Sequence, residues 1–124
     1  MCLMVEIRGD ALTTPEAKRI AARNELLSAS DRAPRLTVDA CDLLTEDADW
    51  DAATWDMSTE GRAALHDALR LVFDEVSGPV ALTALWWEGT HAPRVPMQPV
   101  ARQEFLALVN ANAISARSGY DVRA

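Results

Sequence analysis

The amino-acid sequence predicts an α+β fold, with α/β as the alternative class: a small sheet of about four strands packed by about three helices. Segments with the two-residue alternation of strands and segments with helical periodicity follow each other roughly as β-α-β-α-β-α-β. The chain of 124 residues fits one domain, residues 1–124, and is long enough to bury a core without disulfides or a structural metal. Its 49% hydrophobic and 25% charged residues exclude a chain that is disordered throughout.

The opening residues predict the first strand and the first helix. Residues 3–8, LMVEIR, alternate apolar and charged side chains as a half-buried strand does. A helix follows, because Thr13 or Thr14 can cap it and Pro15 suits its first turn. One face of this helix consists of Ala17, Ile20, Ala21, Asn24 and Leu27. We expect it to end near Ser28.

Residues 36–44 fit both a strand and a short helix. The spacing of a strand is present in Leu36, Val38 and Ala40. The spacing of a helix is present in Val38, Cys41 and Leu44. We interpret the segment as a strand, because Pro34 favours an extended entry.

Residues 58–76 carry the clearest helical pattern. Ser58 or Thr59 can cap the helix, and Glu60 lies in the first turn, where the helix dipole favours an acid. The stripe expected to face the core contains Leu65, Ala68, Leu69, Val72, Phe73 and Val76. The SGP sequence that follows ends the helix.

The last third of the chain predicts a strand, a loop, a helix and a second strand. Residues 80–87 are apolar except for one threonine, so we expect this strand at the centre of the sheet, covered on both faces. Three prolines within residues 88–99 predict an extended loop. Residues 100–114 predict a third helix, and residues 118–122 a short edge strand. The third helix is expected to bury Ala101, Phe105, Leu108 and Val109.

The negative charge of the protein is concentrated in one span, Asp39–Glu60. This span holds eight acidic residues and no Lys or Arg, whereas the whole chain has 19 acids, 12 bases and a net charge of −7. The remaining residues therefore carry a net charge of +1. Such a span repels DNA and RNA, and it attracts a basic partner or a cation or simply adds solubility.

Within this span, residues 45–56 (TEDADWDAATWD) have some features of a calcium loop. A divalent cation would bind through Asp47, Asp49 and Asp51, which have the spacing of the first ligands in an EF-hand. Registers starting at Asp47 or Asp49 both lack the turn glycine, and each lacks a ligand. We therefore predict no metal site and no cofactor.

Two other interpretations of residues 45–56 remain open. The acids can face solvent in a connector that Trp50 and Trp55 anchor to the core. Alternatively, the segment binds an Arg/Lys-rich protein, with the acids steering the encounter and a tryptophan supplying binding energy. The predicted partner-binding residues are Asp47, Asp49, Trp50, Asp51, Trp55 and Asp56.

Catalysis has few candidate residues. Glu88 and His91 lie beside Trp86 and Trp87 and could form half of an acid–base pair near a Trp-lined pocket. The sequence contains no Gly-rich phosphate loop and no HExxH, CxxC or GxSxG motif. We therefore expect a small acidic protein-binding module, of inhibitor, immunity or adaptor type. The alternatives are a small enzyme using Glu88 and His91, or a divalent-cation binder using Asp47, Asp49 and Asp51.

The sequence also predicts location and assembly. It has no apolar run near the roughly 20 residues of a membrane helix and no signal peptide, which predicts a cytoplasmic protein with two free cysteines. Eleven arginines against one lysine are typical of a GC-rich bacterial genome. We expect a homodimer, because about three helices leave part of an apolar sheet uncovered.

Overall fold

The computed structural model describes residues 3–48, 53–86, 96–116 and 118–124. Its helices and strands are, in chain order, β1 (Leu3–Gly9), α1 (Thr14–Ala21), β2 (Ser28–Ala29), β3 (Leu36–Asp39), α2 (Thr59–Glu75), β4 (Val80–Trp86), β5 (Met97–Ala101), α3 (Arg102–Asn110) and β6 (Gly119–Arg123). Directly after β3, Ala40–Asp42 form one 3-10 turn. None of the three helices has both the length and the apolar character needed to cross a membrane.

The strands form one mixed sheet in the order β2-β3-β1-β4-β6-β5. Neighbouring strands are antiparallel, except β5 and β6, which are parallel. β1 and β4 occupy the centre and pair along their full length, from Leu3 opposite Trp86 to Gly9 opposite Val80. The α+β class and the central position of β4 are confirmed, but the described sheet has six strands instead of about four.

Several boundaries differ from the sequence prediction. An extended loop is predicted for residues 88–99, but β5 begins within it, at Met97. Pro99 is tolerated in β5 because β5 is an edge strand, where a missing N–H removes no hydrogen bond between strands. The prediction of an edge strand at the C-terminus is wrong, since β6 lies between β4 and β5. α1 ends at Ala21, before the expected Ser28. Residues 36–44 contain both predicted alternatives, a strand followed by the 3-10 turn.

All three helices pack on the same face of the sheet. Val5 and Ile7 of β1 and the buried residues of the helices belong to one hydrophobic cluster. From α2 the cluster receives most of the predicted stripe, namely Leu65, Ala68, Leu69, Val72 and Phe73, followed by Val76 just after the helix. Of the two predicted caps of α2, Ser58 is the one observed, because its Oγ accepts a hydrogen bond of 2.9 Å from the Gly61 amide.

The other face of the sheet carries charged and small side chains together with Met4. Because side chains alternate along a strand, Glu6 and Arg8 point away from the face that bears Val5 and Ile7. In β4 the same alternation places the half-buried Ala81 and Thr83 on this face. The buried apolar residues of the three described helices belong to the cluster on the opposite face, so helical cover is observed for one face of β4 within the described residues.

Glu6 is the one buried charged residue in the described part of the chain, with 8% of its surface exposed. Arg8 Nε donates to Glu6 Oε1 at 2.6 Å, and Arg35 Nη1 donates to Glu6 Oε2 at 2.7 Å. Burial acts to raise the pKa of Glu6, but the hydrogen bonds and charges of the two arginines outweigh it and hold the pKa below its ordinary value. The ionised carboxylate therefore stabilises the folded state.

We expect acid to remove this contribution of Glu6. Its folded pKa lies below the ordinary 4.5, so the stabilisation is complete above pH 4.5 and is lost as the pH falls through the folded value. The free energies of unfolding of wild type and Glu6→Gln, measured in urea, should differ at about pH 7, and the difference should shrink as the pH falls below 4.5. Glu104→Gln, at an exposed position, is the control; a constant gap between wild type and Glu6→Gln would contradict the assignment.

Candidate functional site: an acidic cleft beside the start of α2

A connector, with described residues 43–48 and 53–58, links the 3-10 turn to α2, and its two ends pair with each other. The Thr45 amide donates to the Asp56 carbonyl at 2.9 Å, and the Ser58 amide donates to the Leu43 carbonyl at 2.9 Å. An antiparallel bridge joins Leu44 to Met57. The two arms, residues 43–45 and 56–58, therefore lie side by side.

The predicted partner-binding residues have different positions on this connector. Asp47 and Asp56 are exposed. Trp55 belongs to the hydrophobic core with 7% of its surface exposed, so its side chain offers little area to a partner. Asp49, Trp50 and Asp51 lie outside the described residues.

An open cleft of about 650 Å³ lies where the turn after α1, the 3-10 turn and the first turns of α2 meet. Its charged lining consists of Glu25, Asp42, Glu60, Asp67 and Arg23. Arg23 is engaged elsewhere, since its Nη1 lies 2.6 Å from Glu75 Oε1. We call this feature the acidic cleft; its four carboxylates make it a negatively charged surface.

A glycine brings the two walls of the acidic cleft together. A Cβ atom placed on Gly61 would lie 2.2 Å from the Leu43 carbonyl oxygen, closer than any side chain allows. Only the absence of a side chain lets the first turn of α2 approach the segment that carries Asp42. On the α2 wall, Glu60 and Asp67 are seven residues apart and therefore share one face of the helix.

Sequence reasoning missed half of the acidic cleft. Asp42 and Glu60 belong to the recognised acidic span, but Glu25 and Asp67 do not. The seven-residue spacing of Glu60 and Asp67 was a signal that could have identified the latter. Glu25 has no such signal, because tertiary packing of the turn after α1 brings it there.

The other predicted chemistries find no geometry to support them in the described residues. Those residues contain no group of three or more His, Cys, Asp or Glu side chains placed to hold a metal ion. The proposed cation ligand Asp47 is exposed, and its companions Asp49 and Asp51 lie outside the described residues. Glu88 and His91, the candidate acid–base pair, also lie outside them.

A second depression, of about 540 Å³, lies between α2 and α3 and is lined by Arg70, Asp74 and Arg102 among others. Arg102 is not free to bind a ligand there, because its guanidinium donates to the carbonyls of Phe73, Val76 and Gly78. Of the two depressions, the acidic cleft therefore has more charged side chains that form no ion pair within the described residues.

Fold and cleft together define a small α+β protein with an acidic surface. Comparisons with known proteins do not narrow this class: no family model, no curated protein and no solved structure matches the chain.

Proposed function

We propose that the protein acts in the cytoplasm by protein–protein association, as a small acidic binding module of inhibitor, immunity or adaptor type. The acidic cleft would receive arginine or lysine side chains of a partner with a basic surface. The observation that carries this proposal is the set of four carboxylates lining one cleft whose single guanidinium, on Arg23, is already paired with Glu75.

The carboxylates of the cleft are available to a partner. Among the described residues, none of Glu25, Asp42, Glu60 and Asp67 forms an ion pair with Lys or Arg. A basic side chain entering the cleft therefore breaks no existing pair, and it relieves the mutual repulsion of the acids. Clustered charge of one sign also accelerates encounter with an oppositely charged partner.

The spacing of the acids favours a protein over a metal ion or a nucleic acid. A divalent cation needs several oxygens converging at about 2.3–2.6 Å, and the described carboxylates do not converge in this way. A nucleic acid would be repelled. Separate carboxylates along an open cleft match separate basic side chains on a protein surface.

The proposed interface extends from the acidic cleft onto the connector. Ser58, which lines the cleft, lies two residues after the exposed Asp56. Of the residues predicted from the sequence, the exposed acids Asp47 and Asp56 would extend the interface, and the buried Trp55 would anchor the connector to the core. A homodimer would have few exposed apolar side chains to bury, because Met97, at 41%, is the one exposed large hydrophobic residue of the described ranges.

Binding of a fluorescein-labelled oligo-arginine peptide, followed by anisotropy, tests the proposed function. Glu60→Gln combined with Asp67→Asn should weaken binding about three- to tenfold at an ionic strength of about 0.15 M, since exposed pairs contribute about 0.2–1 kcal/mol each. The matched control is Asp74→Asn combined with Glu104→Gln, which removes the same charge from exposed positions outside the cleft.

The control pair decides between local recognition and general attraction. Its expected effect is about twofold or less, because charges farther than a Debye length are screened. Equal losses of affinity for both pairs of substitutions would show that the peptide responds to the net charge of the protein and not to the acidic cleft. Absence of peptide binding by the wild-type protein would remove the proposed function altogether.

A further inference from the structure

The connector is fastened to a distant part of the chain, the segment that follows α3. The Trp55 amide donates to the Ile114 carbonyl at 2.9 Å, and the Ala116 amide donates to the Ala53 carbonyl at 2.9 Å. A bridge between Thr54 and Ser115 lies between these bonds. We call this pairing of residues 53–57 with residues 112–116 the clasp.

Asn112 begins the clasp and holds two different groups of the connector. Its Oδ1 accepts a hydrogen bond of 2.9 Å from the Met57 amide, which can only donate. That bond orients the side-chain amide and turns Nδ2 toward Asp56 Oδ1, at 3.4 Å. The backbone of Asn112 has a φ of 55°, a left-handed conformation that asparagine tolerates better than most residues.

Hydrogen bonds carry this restraint from Asn112 toward the acidic cleft. Asp56 is also held by Thr45, whose Oγ1 lies 3.2 Å from Asp56 Oδ2. One residue after Met57, Ser58 bonds the Leu43 carbonyl and caps α2, so it joins both walls of the cleft. The clasp, the connector arms and the start of α2 therefore form one continuous hydrogen-bonded unit.

We propose that Asn112 is a positioning residue for the acidic interface. It fixes Asp56 and the arm that leads into α2, so that the carboxylates are in place before a partner arrives. A surface that is already ordered loses less conformational entropy on binding, which raises affinity without adding a contact. This inference rests on the proposed function, because it assigns a role within the same interface.

Asn112→Gly is the test variant, since glycine keeps the left-handed backbone and loses both side-chain bonds. Hydrogen exchange of the Met57 amide should accelerate about five- to tenfold relative to the Leu69 amide in α2, as expected for one lost hydrogen bond. Affinity for the oligo-arginine peptide should fall about two- to fivefold with an unchanged salt dependence, because no charge is removed. Asn110→Ala, an exposed change nearby, should alter neither quantity.

Two results would overturn the positioning role. One is unchanged exchange at Met57, which would mean that Asn112 does not hold the connector. The other is faster exchange with unchanged peptide affinity, which would make the clasp purely structural. If the wild-type protein does not bind the peptide, the proposed function and the positioning role both fail, while exchange at Met57 still decides whether the clasp restrains the connector.

Discussion

Leu69→Ala is expected to lower the free energy of unfolding by about 2–5 kcal/mol. Leu69 is fully buried on the core face of α2, and the same face contributes Leu65, Val72 and Phe73 to the core. Alanine would remove apolar contacts and leave a cavity that neighbours on both the helices and the sheet can fill only in part. Urea unfolding of the wild type and the variant measures the difference.

The adjacent residue provides the control for this core position. Arg70 is exposed and points away from the sheet, so Arg70→Ala should change the free energy of unfolding by about 0.5 kcal/mol or less. Equal, small losses at Leu69 and Arg70 would show that this stretch of α2 does not face a packed core.

Arg102→Ala is expected to cost about 2–4 kcal/mol, because it removes hydrogen bonds from a charged donor to three carbonyls. Arg102 Nη1 donates to the Phe73 carbonyl at 2.7 Å, and Nη2 donates to those of Val76 and Gly78 at 2.8 and 2.9 Å. α2 has no basic residue in its last turn, so Arg102 of α3 supplies the positive charge at its C-terminal end. The guanidinium also lies 5.2 Å from the centre of the Phe73 ring.

Arg102→Lys separates geometry from charge at this position. An ammonium group is a point charge that cannot reproduce the planar fork, so lysine should recover only part of the stability lost in Arg102→Ala. The exposed neighbour variant Gln103→Ala should leave the unfolding midpoint in urea nearly unchanged. Full recovery by lysine would mean that charge alone, and not the set of carbonyl bonds, stabilises the end of α2.

Local patterns predicted the elements that depend on local physics. The α2 stripe and a cap at Ser58 or Thr59 were correctly predicted, because helical periodicity and capping are set by nearby residues. The apolar run of β4 correctly predicted a central strand. β2 was missed because two residues cannot display an alternation, and β6 became an interior strand because β5 paired beside it.

The site was less predictable than the fold. The sequence showed which segment carries the negative charge, but it did not show which acidic side chains come together in the folded protein. Glu25 reaches the acidic cleft through tertiary packing, and Arg102 reaches the end of α2 from another helix. Asn112 meets Asp56 across 56 positions of the chain. No local pattern encodes contacts of this range.

The prolines around β5 have a consequence for the behaviour of the protein at high concentration. The Gly119 amide donates to the Pro96 carbonyl. Because backbone groups of alternate residues face the neighbouring strand, the backbone N–H of Gln98 points toward β6 and the backbone nitrogen of Pro99 points outward. The outer edge thus lacks an amide proton at its middle residue. At the opposite edge, β2 offers two residues. Neither edge of the described sheet can template a long added strand, which protects the folded protein against edge-to-edge aggregation.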